Sequence, residues 1–408
     1  MPAPPTRRQH HIPELLEIHA DELAYLSGQR RAALYDTRYN FTSLLDLNDR
    51  IEAHVAGLLT VPSALPGLLG KRLVAATDRD DAFAAAHGLL RLANPALNAK
   101  VGELFATAQG PVLLGLRDAM VFAPLGASEP GLQALLAAGD PMRAVAAATV
   151  LAHHNRLPVQ DAHFTRLLLD ANPDVAEQAW RVLTRLDARL ATTPDGAPPR
   201  PYQPALLRAE PALYTAVLGA ALWTAQPWVQ AGLRRQVQNG DLIALGWLAA
   251  VGGAADWPLI ELAMAALPPL ERPRLLGRFG HPATLPRLLE WMRSPDAKLA
   301  AASADAFTRI TGQDVRGGRV TPPVREGADD FEREMAPSVW LPDLVKVDTY
   351  LQQQGAQLAQ VERCNRGLPL AADLTAATWA QVDLPARWDA CARAALNGRP
   401  VAAPPPAL

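Results

Sequence analysis

Two stretches, LQALLAAGDPMRAVAAATVLAHHN at 132–155 and FTRLLLDANPDVAEQAWRVLTRLD at 164–187, decide the fold of this chain. Each begins with an apolar run, passes through a short turn with Asp or Asn before Pro, and continues as a second run with helical periodicity. Pro141 and Pro173 occupy the same place in the two stretches and lie 32 residues apart, within the range of helical repeat periods. The sequence therefore predicts helical hairpins that repeat along the chain.

The hairpin pattern continues towards the C-terminus. Residues 248–260, LAAVGGAADWPLI, and 276–289, LGRFGHPATLPRLL, place a Gly and an apolar-Pro pair at the same internal offset. The hairpin after them carries Ala300, Ala301, Ala304 and Ala306, which are small enough to let neighbouring helices approach closely. Because no single hairpin can bury its apolar face alone, we expect the repeats to stack.

We predict an all-α fold, an α-solenoid of HEAT-like helical hairpins, with four regions along the chain. Residues 1–75 form an N-terminal helical region that caps the solenoid, and residues 76–312 hold the repeats, with a loop insertion at 191–204. Residues 313–340 are predicted to be a loop or linker, because Gly, Pro and acidic residues are frequent there. Residues 341–408 form a small C-terminal helical module with a disordered tail.

Composition narrows the class of protein. Hydrophobic residues make up 49% of the chain and aromatic residues only 6%, so Ala and Leu supply most of the apolar surface and favour helix. The 39 Lys and Arg residues nearly balance 41 Asp and Glu residues, which disfavours bulk binding of DNA or RNA. The apolar runs are too short to span a bilayer, and no secretory signal is evident. We therefore expect a soluble, cytoplasmic protein.

Four segments resemble a known family. They are EIHADELAYLSGQRRAALYD at 17–36, FTSLLDLNDRIEAHVAGLL at 41–59, AFTRITGQDV at 306–315 and LVKVDTYLQQQGAQLAQVERCNRGLPL at 344–370. Together they resemble, collinearly over almost the whole chain, a proteobacterial HEAT-repeat family of uncharacterised function whose genes often lie beside type VI secretion components. The resemblance implies a cytoplasmic adaptor, chaperone or immunity-type partner of a secreted effector. It implies no catalytic residues.

The motifs of common enzymes do not occur in the sequence. GLLGKR at 67–72 lacks the four-residue spacer and the Ser or Thr of a phosphate-binding P-loop. No nucleophile elbow, dinucleotide fingerprint or zinc-binding H-E-x-x-H is present, and Cys364 and Cys391 have no metal-site spacing. We predict a non-enzymatic protein without a cofactor or a catalytic or structural metal.

One group of side chains has the residue types of a metal site. His19 with Glu22 and Glu52 with His54 would converge if the first two helices pack antiparallel. The spacing lacks the paired histidines four residues apart that make metal motifs specific. We favour a helix interface in which histidine donates a hydrogen bond to a carboxylate.

Four tryptophans are the best sequence candidates for a partner-binding surface. Trp223, Trp228, Trp247 and Trp257 lie close together in the sequence, and Trp is enriched at the energetic centres of interfaces. The alternative is that they fill the core beside Ala-rich helices. Short basic pairs, at 30–31, 71–72 and 234–235, are interpreted as solvated helix faces rather than phosphate sites.

Two classes of function remain open. The first is a protein-binding scaffold that serves a type VI secretion effector or spike component, with the face formed by the second helices of the hairpins as its docking surface. The second is an enzyme of the alkylpurine DNA glycosylase type, since such solenoids also occur in that class. The near-neutral charge argues against the basic DNA channel that the second class needs. A bilin-lyase-like protein is a third possibility, for which no tetrapyrrole pocket is marked.

Overall fold

The computed structural model describes residues 13–190, 199–208, 210–323, 327, 329, 331, 335–370 and 376–399 of the chain. Helices dominate these residues, so the predicted all-α class is confirmed. Two compact units are distinguished: unit 1 contains the described residues of 13–34 and 43–217, and unit 2 contains 35–42 and 218–399. No helix in the described ranges is long and apolar enough to cross a bilayer.

Unit 1 consists of consecutive helices joined by short turns. Its helices are α1 (Pro13–Ala33), α2 (Phe41–Leu58), α3 (Leu65–Ala75), α4 (Arg79–Leu90), α5 (Pro95–Thr107), α6 (Gly110–Phe122), α7 (Glu129–Ala138), α8 (Pro141–His153), α9 (Ala162–Leu167), α10 (Pro173–Leu190) and α11 (Tyr202–Leu206). The first two residues of α2 belong to unit 2, and α12 (Pro211–Trp223) contains the division between the units.

In unit 1 the helices from α3 to α10 alternate between first and second helices of hairpins. The second helices α4, α6, α8 and α10 pack on one another in sequence, and each also contacts a first helix of the set α3, α5, α7 and α9. The hairpins α7–α8 and α9–α10 are those of the two stretches that decide the fold. Stacking is therefore present within this unit.

The Asp residues in the hairpin turns begin the second helices. Asp78 accepts hydrogen bonds from the amides of Asp80 and Asp81 at 2.9 and 2.8 Å, and Asp140 accepts one from Met142 at 3.1 Å. An N-cap carboxylate satisfies amide groups that have no partner in the first turn of a helix. This is the physical reason that Asp recurs at this place in the repeat.

Small residues bring the second helices close together. Ala82, Ala84, Ala85 and Ala86 of α4 are fully buried. Gly115 of α6 lies so near to α4 that a Cβ atom on it would meet the Arg79 carbonyl oxygen and come within 2.7 Å of the Ala82 Cβ. This contact fixes the spacing and rotation of α4 against α6.

Unit 2 continues the alternation of first and second helices. Its elements are α13 (Val229–Gln238), α14 (Leu242–Val251), α15 (Trp257–Ala263), α16 (Glu271–Phe279), α17 (Leu285–Met292), α18 (Ala297–Thr311), β1 (Arg316–Val320), β2 (Val339–Pro342), α19 (Leu344–Leu358), β3 (Cys364–Asn365), β4 (Leu368–Pro369), α20 (Ala376–Gln381) and α21 (Leu384–Leu396). The second helices α14, α16 and α18 pack in sequence, while β1 pairs with β2 and β3 with β4, both antiparallel.

The C-terminal part of unit 2, the described residues of 363–396, is held on the second helices of the unit by arginines. Arg278 of α16 donates both Nε and Nη2 to Asp389 of α21, each at 2.8 Å. Arg309 of α18 binds Asp383 through the same two nitrogens at 2.8 and 3.1 Å. Bidentate pairs of this kind are both strong and geometrically specific. They fix the position of α21 in the unit.

Two further arginines of this part bind backbone oxygens at the ends of second helices. Arg363 is buried and donates to the carbonyls of Ala249, Phe279 and Gly252, and Arg393 donates to that of Ala250 at 2.7 Å. The last carbonyls of a helix have no partner within it and carry the negative end of its dipole. Cationic side chains from the C-terminal part therefore cap α14 and α16.

The predicted regions and the observed elements differ in detail. The predicted linker 313–340 contains β1 and the start of β2, which pair antiparallel with an irregular register between Arg316 and Arg319. The C-terminal module includes β3 and β4 besides helices. Residues 191–198 of the predicted insertion and the predicted disordered tail from 400 onward lie outside the described residues, and α11 begins within the insertion.

The close contact of α4 and α6 gives a stability prediction. Gly115→Ala should lower the free energy of unfolding of unit 1 by about 2 kcal/mol or more, because the added methyl group meets backbone that cannot move aside. Gly102→Ala in α5 is the matched control: nothing lies within 4 Å of the position that its methyl group would take, so the substitution should stabilise by about 0.5 to 1 kcal/mol. Urea denaturation measures both. Equal effects of the two substitutions would contradict the packing described.

Candidate functional site

The candidate site is a cavity of about 200 Å³ in unit 1. It lies between α1, α2 and the second helices α4 and α6; α1 contributes only polar lining residues, and each of the other three helices contributes polar and apolar ones. Arg30 comes from α1, Asn48 from α2, His87 from α4, and Asp118 with Phe122 from α6. The site is therefore built by the packing of helices rather than by a loop.

Helical spacing places the walls that α4 and α6 supply. Arg79, Phe83 and His87 follow one another at four-residue steps on α4, so they share one face of that helix. Asp118 and Phe122 stand three and seven residues after Gly115 and share its face of α6. Since Gly115 lies against α4, both stripes meet at the cavity.

Aspartates in this region are held by arginines. Asp118 is buried and accepts hydrogen bonds from Arg79 Nε at 2.7 Å and from Arg117 Nη2 at 2.8 Å. Asp80 accepts from Arg31 Nη2 at 2.5 Å and from Ser27 Oγ at 3.0 Å. Removing these charges from water is costly unless they are paired, and here each carboxylate has a guanidinium.

Arg30 is the arginine of this region that lacks a carboxylate. Its Nε donates to Asn48 Oδ1 at 2.7 Å, and its guanidinium lies 4.8 Å from the centroid of the Phe122 ring. The structure assigns it no ion pair within the described residues. Burial lowers its pKa, and the Asp118 carboxylate opposes that effect. Arg30 therefore brings a charge to the cavity that its neighbours only partly compensate.

His87 is the second unusual polar group of the cavity. It is only 2% exposed, and its ring stacks on Phe83 with centroids 5.2 Å apart. Burial lowers its pKa to about 4, with the nearby Arg91 charge acting in the same direction and the Glu52 carboxylate opposing it. Its buried Nδ1 has no hydrogen-bond partner in the described part of the chain. The imidazole is thus neutral at pH 7, and its Nδ1 is enclosed by protein.

The charged side chains that line the cavity balance one another. Arg30 and Arg31 are positive, and Glu52 and Asp118 are negative. Arg31 is paired with Asp80, Glu52 with Arg91, and Asp118 with Arg79 and Arg117. Arg30 is therefore the lining charge that has no ion pair among the described residues.

The tryptophans predicted to form a partner surface lie in unit 2 and have different neighbours. Trp223 is buried at 6% exposure, whereas Trp228, Trp247 and Trp257 are half-buried. Trp247 packs on Gly219 and lies under the Arg278 guanidinium, and Trp257 stacks on Phe279. Their role in binding a partner stays a prediction.

The predicted cluster of His19, Glu22, Glu52 and His54 forms only in part. His19 Nδ1 lies 3.1 Å from His54 Nδ1, so the two histidines contact each other. This contact takes the place of the predicted hydrogen bond from histidine to a carboxylate. The reason is Gly57, whose missing side chain lets the His19 ring lie against α2. Glu52 turns to Arg91 instead. The described residues contain no group of three or more potential ligands suited to a metal.

The sequence does not single out the residues of the cavity. From the sequence alone, the basic pair at 30–31 is interpreted as a solvated helix face. In the structure, Arg30 lines the cavity and Arg31 is paired with Asp80. The spacing of Arg79, Phe83 and His87 is visible in the sequence, yet such spacing is equally typical of an ordinary buried face. The signal exists but is not specific.

Comparison of the chain with protein-family models, with curated proteins and with solved structures finds no match. The resemblance to a HEAT-repeat family near type VI secretion genes therefore stays a prediction.

The depressed pKa of His87 predicts a pH dependence of stability. The unfolded chain binds a proton near pH 6.5 and the folded chain only near pH 4, so stability present above pH 6.5 should be lost as the pH falls towards 4. The loss is about 3 kcal/mol, and His87→Phe, which keeps the ring stack, should remove it. Denaturation from pH 7 to 4 measures this, with the exposed His163→Gln as control. If the free energy of unfolding of His87→Phe falls between pH 7 and pH 4 as much as that of the unaltered chain, the pH dependence does not come from His87.

Proposed function

We propose that the chain is a non-catalytic protein-binding scaffold and that the cavity of unit 1 anchors its partner. The observation that supports this proposal is Arg30, a half-buried guanidinium that lines a cavity and has no carboxylate within ion-pair distance among the described residues. A charge held in such surroundings favours a ligand that supplies the opposite charge.

The arginines of unit 2 show which acceptors a guanidinium removed from water uses in this chain. Arg278 and Arg309 each have an aspartate of the C-terminal part, and Arg363 and Arg393 have helix-end carbonyls. In each case the chain itself provides the acceptor oxygens. Arg30 has only the Asn48 amide oxygen and an aromatic ring, so an acceptor from another molecule is the natural complement.

The size of the cavity favours a side chain over a cofactor. Sites for small molecules and cofactors usually measure about 300 to 1,000 Å³. At about 200 Å³ the cavity is smaller than this range and suits one amino-acid side chain. An anchor residue inserted in a pocket is also how protein interfaces concentrate their binding energy.

The identity of the partner is proposed from the resemblance alone. A cytoplasmic adaptor, chaperone or immunity-type role towards a type VI secretion effector or spike component is consistent with a scaffold that has no catalytic motif. The half-buried Trp228, Trp247 and Trp257 of unit 2 would be a second contact region under this proposal.

Affinity purification of the tagged chain from its native cell tests the proposed function. We expect one protein to co-elute in near-equal amount, and Arg30→Met to reduce its recovery at least tenfold, because the variant keeps the apolar stem but removes the charge. Arg50→Met, on the exposed surface of α2, is the matched control and should leave recovery unchanged. Recovery of nucleic acid in place of a protein would contradict the proposal and support the DNA-enzyme alternative.

A further inference from the structure

We propose that the contact of His19 with His54 is a pH-sensitive joint between α1 and α2 and that it regulates the Arg30 cavity between the same two helices. At neutral pH the joint holds α1 on α2. Acidification opens it and weakens the binding of a partner at Arg30. This inference rests on the proposed function, since it adds regulation to the same site.

The two rings of the joint meet through one nitrogen each. His19 Nδ1 and His54 Nδ1 lie 3.1 Å apart, which is hydrogen-bond distance. Such a bond needs one N–H and one lone pair, and a pair of imidazoles supplies both as long as one ring is neutral. When both rings are protonated, each Nδ1 carries an N–H and no lone pair is left. The contact then becomes a repulsion between two cations.

The His19 ring is confined by α2. A Cβ atom on Gly57 would lie 2.6 Å from both Cε1 and Nε2 of His19, so the ring occupies the space of a missing side chain. His54 stands three residues before Gly57, on the same side of α2. Because one edge of the His19 ring is packed on α2, a small rotation of the ring does not relieve the repulsion. The two helices have to part at this point.

The charged groups around the joint come from both helices. Burial has the largest effect on His54 and lowers its pKa below the usual value near 6.5, and the neighbouring imidazole and Arg50 of α2 act in the same direction. Glu22 of α1 opposes them. A second acid of α2, Glu52, is bound to Arg91 of α4 at 2.8 Å instead. The joint is therefore closed at pH 7 and opens in mildly acidic solution.

The same two helices meet again at the cavity. Arg30 stands 11 residues after His19, about three turns of α1, so the two side chains share one face of the helix. Arg30 Nε donates to Asn48 Oδ1 of α2 at 2.7 Å, and both residues line the cavity. Rigid helices carry coupling between sites, and α1 also packs on α4. Opening of the joint should therefore tilt α1 and change the separation of Arg30 from Asn48.

The pH dependence of the Arg30 Nε–H resonance tests this coupling in the full chain without a partner. We expect the resonance to change between pH 7 and pH 5 in step with the ring signals of His19 and His54. His54→Asn should abolish the change, because an amide donates and accepts without titrating. His163→Gln, at an exposed position, is the matched control and should leave the change intact. An Arg30 signal that stays constant while the two rings titrate would overturn the inference.

Recovery of the co-purified partner at different pH tests the regulation. We expect recovery at pH 5.5 to be about fivefold lower than at pH 7, and His54→Asn to reduce this difference to about twofold or less. A partner whose own groups titrate would give the same pH dependence with both chains, so the comparison isolates His54. Circular dichroism at each pH confirms that the variants are folded. Loss of the pH dependence in His87→Phe but not in His54→Asn would contradict the inference.

The two experiments separate failure of the joint from failure of the proposed function. Partner recovery that depends on Arg30 but is the same at both pH values would contradict the joint and leave the proposed function standing. An Arg30 signal that follows the rings of His19 and His54, with no protein recovered from cells, would contradict the proposed function and support the joint.

Discussion

A guanidinium that leaves water must find oxygen acceptors, and this requirement organises much of the chain. Desolvation of the charge costs several kcal/mol unless a carboxylate or a set of carbonyls replaces the lost water. The Ala-rich second helices pack closely. Arginines at the edges of these helices therefore have little room to move, and their acceptor oxygens must be placed accurately. In unit 2 the chain meets the requirement with Asp383 and Asp389 and with the open ends of α14 and α16. The C-terminal part is thereby joined to the repeats.

In unit 1 the same requirement is met unevenly. Asp118 is shared by two arginines, whereas Arg30 has an amide oxygen and the Phe122 ring. The cavity beside Arg30 is also lined by the ring of His87, which is neutral because burial disfavours its protonated form. Binding sites commonly keep polar groups whose partners arrive with the ligand, since those groups then contribute to specificity. Arg30 has the character of such a group.

The sequence predicts the fold better than the site. Periodicity, the Asp residues of the turns and the Pro residues that open α8 and α10 identify helical hairpins, because each depends on neighbours within a few residues. The cavity depends on four helices brought together by contacts such as that of Gly115, and a single sequence does not reveal which faces meet. The Arg30–Arg31 pair looks like any exposed basic pair until α2 and α6 are placed. In the sequence, only the four-residue spacing of Arg79, Phe83 and His87 could have indicated the cavity.

The central claim, that a carboxylate of another protein completes Arg30, is tested most directly by determining the structure of the chain bound to its co-purified partner. The account predicts a carboxylate of the partner within about 2.8 Å of the terminal nitrogens of Arg30. A complex in which the partner binds elsewhere, and in which Arg30 keeps only Asn48 and water, would contradict it.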